Sequence, residues 1–243
     1  MHIDFTGVAG DIFLNQMPKM YYKTNGQVSV PLVIRTQQGV GHSNGCTQSQ
    51  SLESLFTHIP GLKVVCPSTP YDVKGLLKSS IRDNNPVIFI EHKGLYQTKG
   101  EVPEEEYTIP LGLADVKREG NDATIITYSR TMKMALEAAE MLASEGISAE
   151  VVDIRTLVPL DFDTIAKSVK KTGHVVVTHE SCERTGYGAE IIAEIQEKLF
   201  DELDAPILRV CGANIPVPNA TEAELASIPS AERIAEAVRK VIR

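Results

Sequence analysis

The sequence lacks the features that mark several classes of protein. It has no tryptophan, and its four cysteines, Cys46, Cys66, Cys182 and Cys211, lie far apart without the spacing of a zinc site or a disulfide framework. Scattered free thiols are typical of a reducing compartment, so the expected location is the cytoplasm. No apolar run approaches the ~18 residues of a membrane span, and the first residues lack the basic start and apolar core of a secretion signal.

Positive charge is also scarce. The chain has 24 lysines and arginines against 32 aspartates and glutamates, which gives a formal net charge of −8. Because binding to nucleic acid or to an anionic membrane surface depends on clustered basic residues, we expect neither partner. A chain of 243 residues is long enough to bury a substantial core, in one large or two moderate domains.

The most informative stretch is VPLVIRTQQGVGHSNGCTQSQ, residues 30–50. Its apolar, β-branched start at residues 30–34 predicts a buried parallel strand. Three glycines follow in a polar turn and allow a positive φ: Gly39, Gly41 and Gly45. Thr47 or Ser49 is expected to cap a helix at residues 50–58. A turn between a strand and a helix is a common place for a polar or anionic ligand, although an ordinary connection is the alternative.

The remaining chain alternates short apolar runs with amphipathic ones, which predicts parallel sheets covered by helices. In the first half, strands are predicted at residues 62–66 and 87–91, and helices at residues 11–23 and from Thr69 onward. In the second half, the predicted strands are residues 123–128, 149–154, 174–179 and 207–211. The predicted helices there are residues 132–145, 161–171, 188–200 and 230–242. His179 and Glu180 end a buried strand, where functional residues collect, although a structural hydrogen-bonded pair is the favoured interpretation.

Helical and strand periodicity is lost between residues 93 and 120, which contain prolines, glycines and an acidic run. We therefore predict two domains, residues 1–97 and 114–243, joined by a connector at residues 98–113. The second domain is expected to be a self-sufficient open α/β sheet.

Several long segments carry a family resemblance: VPLVIRTQQG, SQSLESLFTHIPGLKVVCPSTPYDVKGLLKSSIRDNNPVIFIEHKGLY, VVDIRTLVPLD, GYGAEI and APILRVCGANIPVP. Together they resemble the β-subunit of the thiamine-diphosphate-dependent component of 2-oxo acid dehydrogenase complexes. The segments follow one another along essentially the whole chain. The EHKGLY segment is more similar to the acetoin dehydrogenase type than to pyruvate dehydrogenase.

The resemblance implies a transketolase-like α/β fold, with a partial pyrimidine-binding domain at residues 1–97 and an open transketolase C-terminal domain at residues 114–243. It also implies thiamine diphosphate with Mg²⁺, shared with an α-subunit that supplies the metal ligands, since the chain has no GDG motif. A β–β dimer within a heterotetramer and a lipoyl acyltransferase core are the other implied partners.

Two departures from the family pattern affect the chemistry. Residues 1–7 resemble a strand well inside the pyrimidine-binding domain, so the preceding activating glutamate is not in this sequence, and we expect poor carbanion formation. Gln48 stands where the family has a histidine beside a Ser-Gln pair, and an amide cannot titrate. His42 in the same turn is the candidate substitute, the alternative being an exposed loop histidine.

The resemblance also assigns binding residues. Phe5 matches an aromatic position near the pyrimidine, where it would stack on the cofactor, although core packing is an equal alternative. The backbone carbonyls of Leu32, Ser80 and Ile81, with Asp83 and Asn85, match a loop for a structural K⁺, and a simple Asx turn that ends the helix is the alternative.

Two functions follow from these features. The first is an enzyme subunit that, with an α partner, decarboxylates a 2-oxo acid or cleaves acetoin. The second is a catalytically incompetent remnant that acts as an assembly scaffold. The resemblance favours the first hypothesis, and the two departures favour the second.

Overall fold

The computed structural model describes all residues from 1 to 243. The chain forms nine strands in two sheets, with helices on their faces. The strands are β1 (Val33–Gln38), β2 (Lys63–Val65), β3 (Val87–His92), β4 (Asp115–Arg118), β5 (Ala123–Thr127), β6 (Ala149–Asp153), β7 (Thr156–Val158), β8 (Val175–Cys182) and β9 (Leu208–Gly212). The first sheet has the order β1-β3-β2-β7 and the second the order β4-β6-β5-β8-β9. All neighbouring strands run parallel except β7 and β4, each of which is antiparallel at an edge. The α/β fold predicted from the alternation is therefore confirmed.

Eight α-helices connect or cover the strands. They are α1 (Met20–Lys23), α2 (Glu53–Thr57), α3 (Pro70–Ile81), α4 (Thr131–Ala143), α5 (Phe162–Thr172), α6 (Gly188–Leu199), α7 (Thr221–Ala226) and α8 (Ala231–Val241). Short 3₁₀ segments occur at Ile3–Ala9, Lys93–Leu95 and Phe200–Glu202. The Thr69 and Ser230 side chains cap α3 and α8, and Gly173 ends α5 in the left-handed region. None of these helices combines the length and the apolar character that a membrane crossing requires.

The first 23 residues differ from the prediction. Residues 1–7 do not form a strand of the sheet, because Ile3–Ala9 is a 3₁₀ segment and only His2 pairs with β1, through a parallel bridge to Gln37. The single helix predicted at residues 11–23 is a π-helical segment, Ile12–Gln16, followed by a turn and the one-turn helix α1. Pro18 lies between these two pieces and has no N–H to continue the helical hydrogen bonds.

The second half of the chain is not self-contained, contrary to the prediction. After β6 the chain leaves the second sheet, and β7 pairs with β2 of the first sheet, with Val158 opposite Val64. The Cys66 N–H donates to the Arg155 carbonyl oxygen at 2.8 Å and extends this pairing. The largest of the three buried apolar clusters, with 23 residues, contains side chains from both sheets, and the other two have 16 and 5 residues. The two halves consequently share the largest apolar cluster and the first sheet.

A buried cluster of charged side chains lies where β7 crosses between the sheets. The Arg155 guanidinium donates to Asp72 at 3.0 Å, and the Lys117 ammonium lies 2.9 Å from the other Asp72 oxygen and 2.7 Å from Asp115. Asp153 is fully buried 4.0 Å from Lys117, and burial raises its pKa to about 7. Asp72 belongs to α3, whereas the other members lie on β4, β6 and the turn into β7, so the cluster joins the two halves.

Candidate functional site

The candidate site lies at the carboxyl ends of β1 and β3. These strands are parallel neighbours, and their last residues, Gln38 and His92, are partners in the register. The carboxyl ends of parallel strands are where ligands bind in open α/β sheets. The segment that leaves β1, residues 39–52, folds over this edge and is called the glycine turn below. It is closed by the Gly39 N–H, which donates to the Gln50 carbonyl oxygen at 3.2 Å.

The glycine turn has the backbone that its sequence predicts but not the predicted helix. Its three glycines all have positive φ, between 75° and 110°. The helix expected at residues 50–58 is only α2, five residues long, and neither Thr47 nor Ser49 caps it. The reason is that residues 48–50 are held by side chains from elsewhere in the chain. The short helix offers no N-terminal anion site, because its first residue is the buried Glu53.

Lys93 holds the middle of the glycine turn. Its side chain follows directly after β3 and is only 4% exposed. The ammonium donates to the Gln48 carbonyl oxygen at 2.8 Å and to the Ser49 hydroxyl at 3.0 Å. Burial lowers the pKa of Lys93, and Glu224, Asp4 and Glu180 act against that effect. The ammonium therefore fixes the turn at Gln48 and Ser49.

Glu180 holds the two ends of the glycine turn. It lies on β8, and its carboxylate accepts hydrogen bonds from the Val40 N–H at 2.8 Å and the Ser51 hydroxyl at 3.3 Å. Its second oxygen lies 2.9 Å from His92 Nε2 and 3.4 Å from the Arg130 guanidinium. Burial raises the pKa of Glu180, but His92, Arg130 and the Val40 N–H outweigh it and lower the value to about 2. The expected pair with His179 does not form, because Glu180 bonds to the other sheet.

The depressed pKa of Glu180 predicts a specific acid sensitivity. A carboxylate with a folded pKa of about 2 and an ordinary value of 4.5 stabilises the fold above pH 4.5 and loses that contribution as the pH falls toward 2. We therefore expect Glu180→Gln to lower the free energy of unfolding at pH 7. The deficit relative to the unsubstituted chain should shrink steadily between pH 5 and pH 2. Urea denaturation at a series of pH values measures this difference.

The control for that experiment is Glu183→Gln, since Glu183 directly follows β8, is exposed and pairs with Arg209 of β9. Its deficit should be small and nearly independent of pH. A Glu180→Gln deficit that persists unchanged at pH 2 would show that the carboxylate charge is not what stabilises the turn.

The first residues of the chain complete the site. Asp4 Oδ1 accepts a hydrogen bond from the Gln50 side-chain amide at 2.8 Å. His2 Nε2 lies 3.4 Å from the Gln37 side-chain nitrogen, next to the last residue of β1. The other polar atoms of the two side chains, His2 Nδ1 and Asp4 Oδ2, are buried without a hydrogen-bond partner. They are two of ten buried side-chain atoms of the chain that lack such a partner.

Gln48, Phe5 and His42, the three side chains predicted to face the ligand, differ in their exposure and in their contacts. Gln48 lies half-buried in the glycine turn beside Lys93. Phe5 is 41% exposed, and its ring centre is 6.5 Å from that of His2, so its ring is free to stack on a ligand. His42 is exposed in the glycine turn, and its side chain makes no hydrogen bond.

The loop predicted to bind K⁺ lies at the end of α3 and forms the Asx turn that was the alternative. Asp83 Oδ1 accepts from the backbone and side-chain N–H groups of Asn85, both at 2.8 Å. Lys63 pairs with the other Asp83 oxygen. Burial raises the pKa of Asp83, but these hydrogen bonds outweigh it and lower the value. The Leu32 carbonyl accepts from the Val87 N–H at 2.9 Å, and Ser80 accepts from the Asp83 N–H at 3.3 Å.

Sequence reasoning missed Lys93, Asp4 and His2, and it did not foresee the contacts of Glu180. Lys93 lies in the EHKGLY segment, which pointed to the family and not to a contact, and Asp4 had no motif around it; each acts on residues more than 40 positions away. One signal was available for Lys93, since a lysine directly after a fully buried strand has to find polar partners.

Comparisons with known proteins bear on the fold and on the family. The transketolase pyrimidine-binding domain matches residues 1–99, and the transketolase C-terminal domain matches residues 112–234. A split-gene transketolase, described as an inactive β4 tetramer, superposes with a TM-score of 0.83 over 99% of this chain and 74% of its own. Its sequence is 24% identical, so this likeness concerns the fold. The transketolase-like fold implied by the resemblance is thus confirmed.

Several proteins found by sequence comparison have a higher identity to this chain than the split-gene transketolase has. The β-subunit of acetoin:2,6-dichlorophenolindophenol oxidoreductase from Cupriavidus necator is 51% identical over 243 residues, which is 100% of this chain and 72% of that protein. The pyruvate dehydrogenase E1 component β-subunit of Bacillus subtilis is 46% identical over 100% of this chain and 75% of its own length. The 2-oxoisovalerate dehydrogenase β-subunit of the same organism is 43% identical over 98% and 73%.

Proposed function

The chain belongs to the family of β-subunits of acetoin and 2-oxo acid dehydrogenases, and from that premise we propose how it works. Together with an α-subunit it cleaves acetoin or decarboxylates a 2-oxo acid, and the acyl group passes to a lipoyl domain. The observation that carries this proposal is the glycine turn at the carboxyl ends of β1 and β3, which is fixed by Lys93 and Glu180 and lies beside the exposed Phe5 ring and the unpartnered Asp4 Oδ2. The relatives give no support to the alternative, an inactive assembly scaffold.

Thiamine diphosphate, the cofactor of this family, stabilises a substrate-derived carbanion when it is bound. The residues present fit its pyrimidine end. The exposed Phe5 ring offers a stacking surface, and Asp4 Oδ2, which has no partner in the chain, can accept from a polar ring substituent. We place the diphosphate and its Mg²⁺ at the interface with the α-subunit, as the resemblance implies.

Gln48 is proposed to line the substrate. Lys93 binds its backbone carbonyl, so the backbone is fixed and the side-chain amide is free to donate and accept hydrogen bonds. The amide cannot take up a proton, and its role is to bind and orient the substrate. Fixing such a side chain through its backbone reduces the entropy lost on binding.

The first 22 residues support a subunit partner. They expose a set of large apolar side chains: Phe5, Val8, Ile12, Leu14, Tyr21 and Tyr22. A groove of about 890 Å³ runs beside them, between this segment, α2 and the start of α6. Exposed apolar surface of this extent is typical of protein interfaces. We propose that the α-subunit and a second β-subunit cover these surfaces in a heterotetramer, which docks on the acyltransferase core.

A structural K⁺ remains a proposal for the loop at the end of α3. The helix end supplies carbonyl oxygens with a free lone pair at Ser80 and Ile81, and Asn85 supplies an amide oxygen. The Asp83 carboxylate is already paired with Lys63, so the cation would be held mainly by neutral oxygens. The four free cysteines support a reducing compartment, which we propose to be the cytoplasm.

The proposed function predicts that the isolated 243-residue chain does not turn over, because it would hold only one end of the cofactor. Calorimetric titration with thiamine diphosphate and Mg²⁺ should give no binding to the chain alone and saturable binding to its complex with an α-subunit. Activity on pyruvate or acetoin is then assayed with an artificial electron acceptor. Turnover by the purified chain alone would contradict the shared site, and a complex that binds no cofactor would favour the scaffold.

A further inference from the structure

A segment of the second half of the chain contacts the glycine turn. It covers residues 213–227, directly follows β9, contains α7 and is called the strap below. We propose that Glu224 of the strap is a positioning residue for substrate binding, because it fixes the part of the glycine turn that precedes Gln48. This inference rests on the proposed function, in which Gln48 lines the substrate, and Glu224 acts through Gln48 rather than on the substrate.

The strap has a fixed shape. Its two ends are joined by the Ala213 N–H, which donates to the Ser227 carbonyl oxygen at 2.8 Å. The Ser227 hydroxyl donates to the Glu224 carbonyl oxygen at 2.7 Å at the end of α7. Directly after the strap, the Ile228 carbonyl oxygen accepts from the Arg233 guanidinium of α8 at 2.9 Å. The second sheet and α8 therefore hold the backbone that carries Glu224.

Ser43 is the residue at which the strap holds the glycine turn. Its N–H donates to Glu224 Oε2 at 3.1 Å, and its hydroxyl lies 2.7 Å from the Thr221 hydroxyl. Ser43 has a φ of 51°, in the left-handed region that is unfavourable for a residue with a Cβ. Such a backbone persists only where its surroundings hold it. Both hydrogen bonds of Ser43 go to α7, so we expect loss of the Glu224 carboxylate to release it.

The backbone of Gln48 depends on this part of the turn. Gly45 lies against the strap, since a Cβ at that position would be 3.3 Å from the Asn219 side-chain oxygen. The Gln48 N–H donates to the Gly45 carbonyl oxygen at 3.3 Å. The Gln48 carbonyl oxygen accepts from Lys93 at 2.8 Å. The strap therefore holds the N–H side of Gln48 through Gly45, and Lys93 holds its carbonyl side.

Glu224 and Lys93 also compensate each other's charge. Glu224 is fully buried, and its Oε1 has no hydrogen-bond partner. A buried carboxylate is costly unless an opposite charge compensates it. Burial lowers the pKa of Lys93, and Glu224 has the largest influence among the carboxylates that oppose this effect. The two residues thus hold the glycine turn from the two halves of the chain with opposite charges.

The first test measures amide hydrogen exchange in the 243-residue chain. Glu224→Gln is compared with Glu222→Gln, which removes the same charge from an exposed position of α7. Because a hydrogen bond to an ionised acceptor is the stronger one, Glu224→Gln should accelerate exchange at Ser43 and Gln48 about tenfold. The amides of β5 should be unaffected, since the opening is local. Equal exchange in the two variants would overturn the proposal.

A second variant leaves every charge in place. Thr221→Val removes the hydroxyl that contacts Ser43, and position 221 is exposed, so the fold should tolerate the change. We expect faster exchange at the Ser43 amide, by a smaller factor than in Glu224→Gln. An unchanged Ser43 amide in both variants would show that the strap does not hold the glycine turn.

The second test uses the complex with an α-subunit, assayed on acetoin and on pyruvate with an artificial electron acceptor. If Glu224 positions Gln48, Glu224→Gln should raise the KM for the substrate about tenfold and leave the affinity for thiamine diphosphate with Mg²⁺ unchanged. A purely structural role would reduce the amount of active complex and leave the KM unchanged. Glu222→Gln should change neither quantity.

A double-mutant cycle with Gln48→Ala completes the test. Glu224→Gln should add little to the KM of Gln48→Ala, because the side chain through which it acts is already absent. Additive effects would overturn the proposal. If the unsubstituted complex turns over neither substrate, or Gln48→Ala leaves the KM unchanged, the proposed function fails and the role of Glu224 fails with it. If Gln48→Ala raises the KM and Glu224→Gln does not, only the role of Glu224 is overturned.

Discussion

Asp72→Asn is expected to lower the free energy of unfolding by about 3–5 kcal/mol, the cost of removing one partner from a buried ion pair. Asp72 is fully buried, and its two oxygens accept from Arg155 at 3.0 Å and from Lys117 at 2.9 Å. An asparagine preserves the shape but leaves two cations with less compensating charge in the same cluster. Urea denaturation at pH 7 measures the loss.

The buried location of Asp72 between the two halves of the chain explains why we expect a large loss of stability. Burial raises the pKa of Asp72, but Thr69, Lys117 and Arg155 outweigh it, and the lowered value shows that the ionised form is the stable one. Arg155 also donates to the Leu113 and Ala114 carbonyl oxygens, so its guanidinium connects α3 of the first half to the start of the second half. We expect a loss of stability for the molecule as a whole.

A matched control is Glu106→Gln, which also removes one carboxylate from an arginine pair. Glu106 is exposed and contacts Arg82 at the surface, where water replaces the lost interaction. Its denaturation midpoint should be unchanged. Equal losses in the two variants would show that burial of the Asp72 cluster does not determine its contribution.

Gly39→Ala is the second large effect that we expect, and Gly41→Ala is its internal comparison. Both glycines have positive φ, 92° and 110°, so an alanine at either position is strained by roughly 1–2 kcal/mol. Only Gly39 is also crowded, since a Cβ there would lie 1.9 Å from His92 Nε2, whereas a Cβ at Gly41 meets no atom within 4 Å.

The crowding at Gly39 falls on a side chain that cannot move freely. His92 is buried, and its Nε2 lies 2.9 Å from the Glu180 carboxylate. An alanine at position 39 must therefore displace the turn or separate this pair, and separation leaves a buried charge without its partner. We expect Gly39→Ala to be less stable than Gly41→Ala by about 3 kcal/mol, as measured by urea denaturation.

A double-mutant cycle tests the mechanism. If the additional penalty of Gly39→Ala comes from the His92–Glu180 pair, it should be smaller when Glu180 is already glutamine. A penalty that is the same in both backgrounds would show that the backbone of the turn alone causes it. Since the glycine turn carries Gln48, loss of cofactor binding in the α-subunit complex should accompany the loss of stability in Gly39→Ala.

The sequence by itself determined the family, the α/β class and most elements of the second half of the chain. The strands predicted at residues 123–128 and 149–154 are β5 and β6 to within one residue. A buried strand of this kind can be predicted because its signal, a short apolar run bounded by turn residues, lies within the strand and its immediate neighbours. The caps at Thr69 and Ser230 were readable for the same reason, since a cap depends on residues three positions apart.

Only the tertiary structure decided how the two halves join. The strand β7 has three residues, too few to show a periodicity, and its partner β2 lies more than 90 positions earlier in the chain. The prediction of one helix at residues 11–23 was wrong. The apolar spacing there is that of a continuous helix, but Pro18 has no N–H to continue the helical hydrogen bonds.

The candidate site was also decided by packing. The sequence pointed to the glycine turn, Gln48 and Phe5, but the residues that hold or complete the site came from distant segments. Glu180 bonds to Val40 from 140 positions away, and Lys93 reaches Gln48 from 45 positions away. Local patterns record which backbone a segment prefers, whereas such contacts depend on where the shared core places each strand end. The charges that fix this turn were therefore visible only in the folded chain.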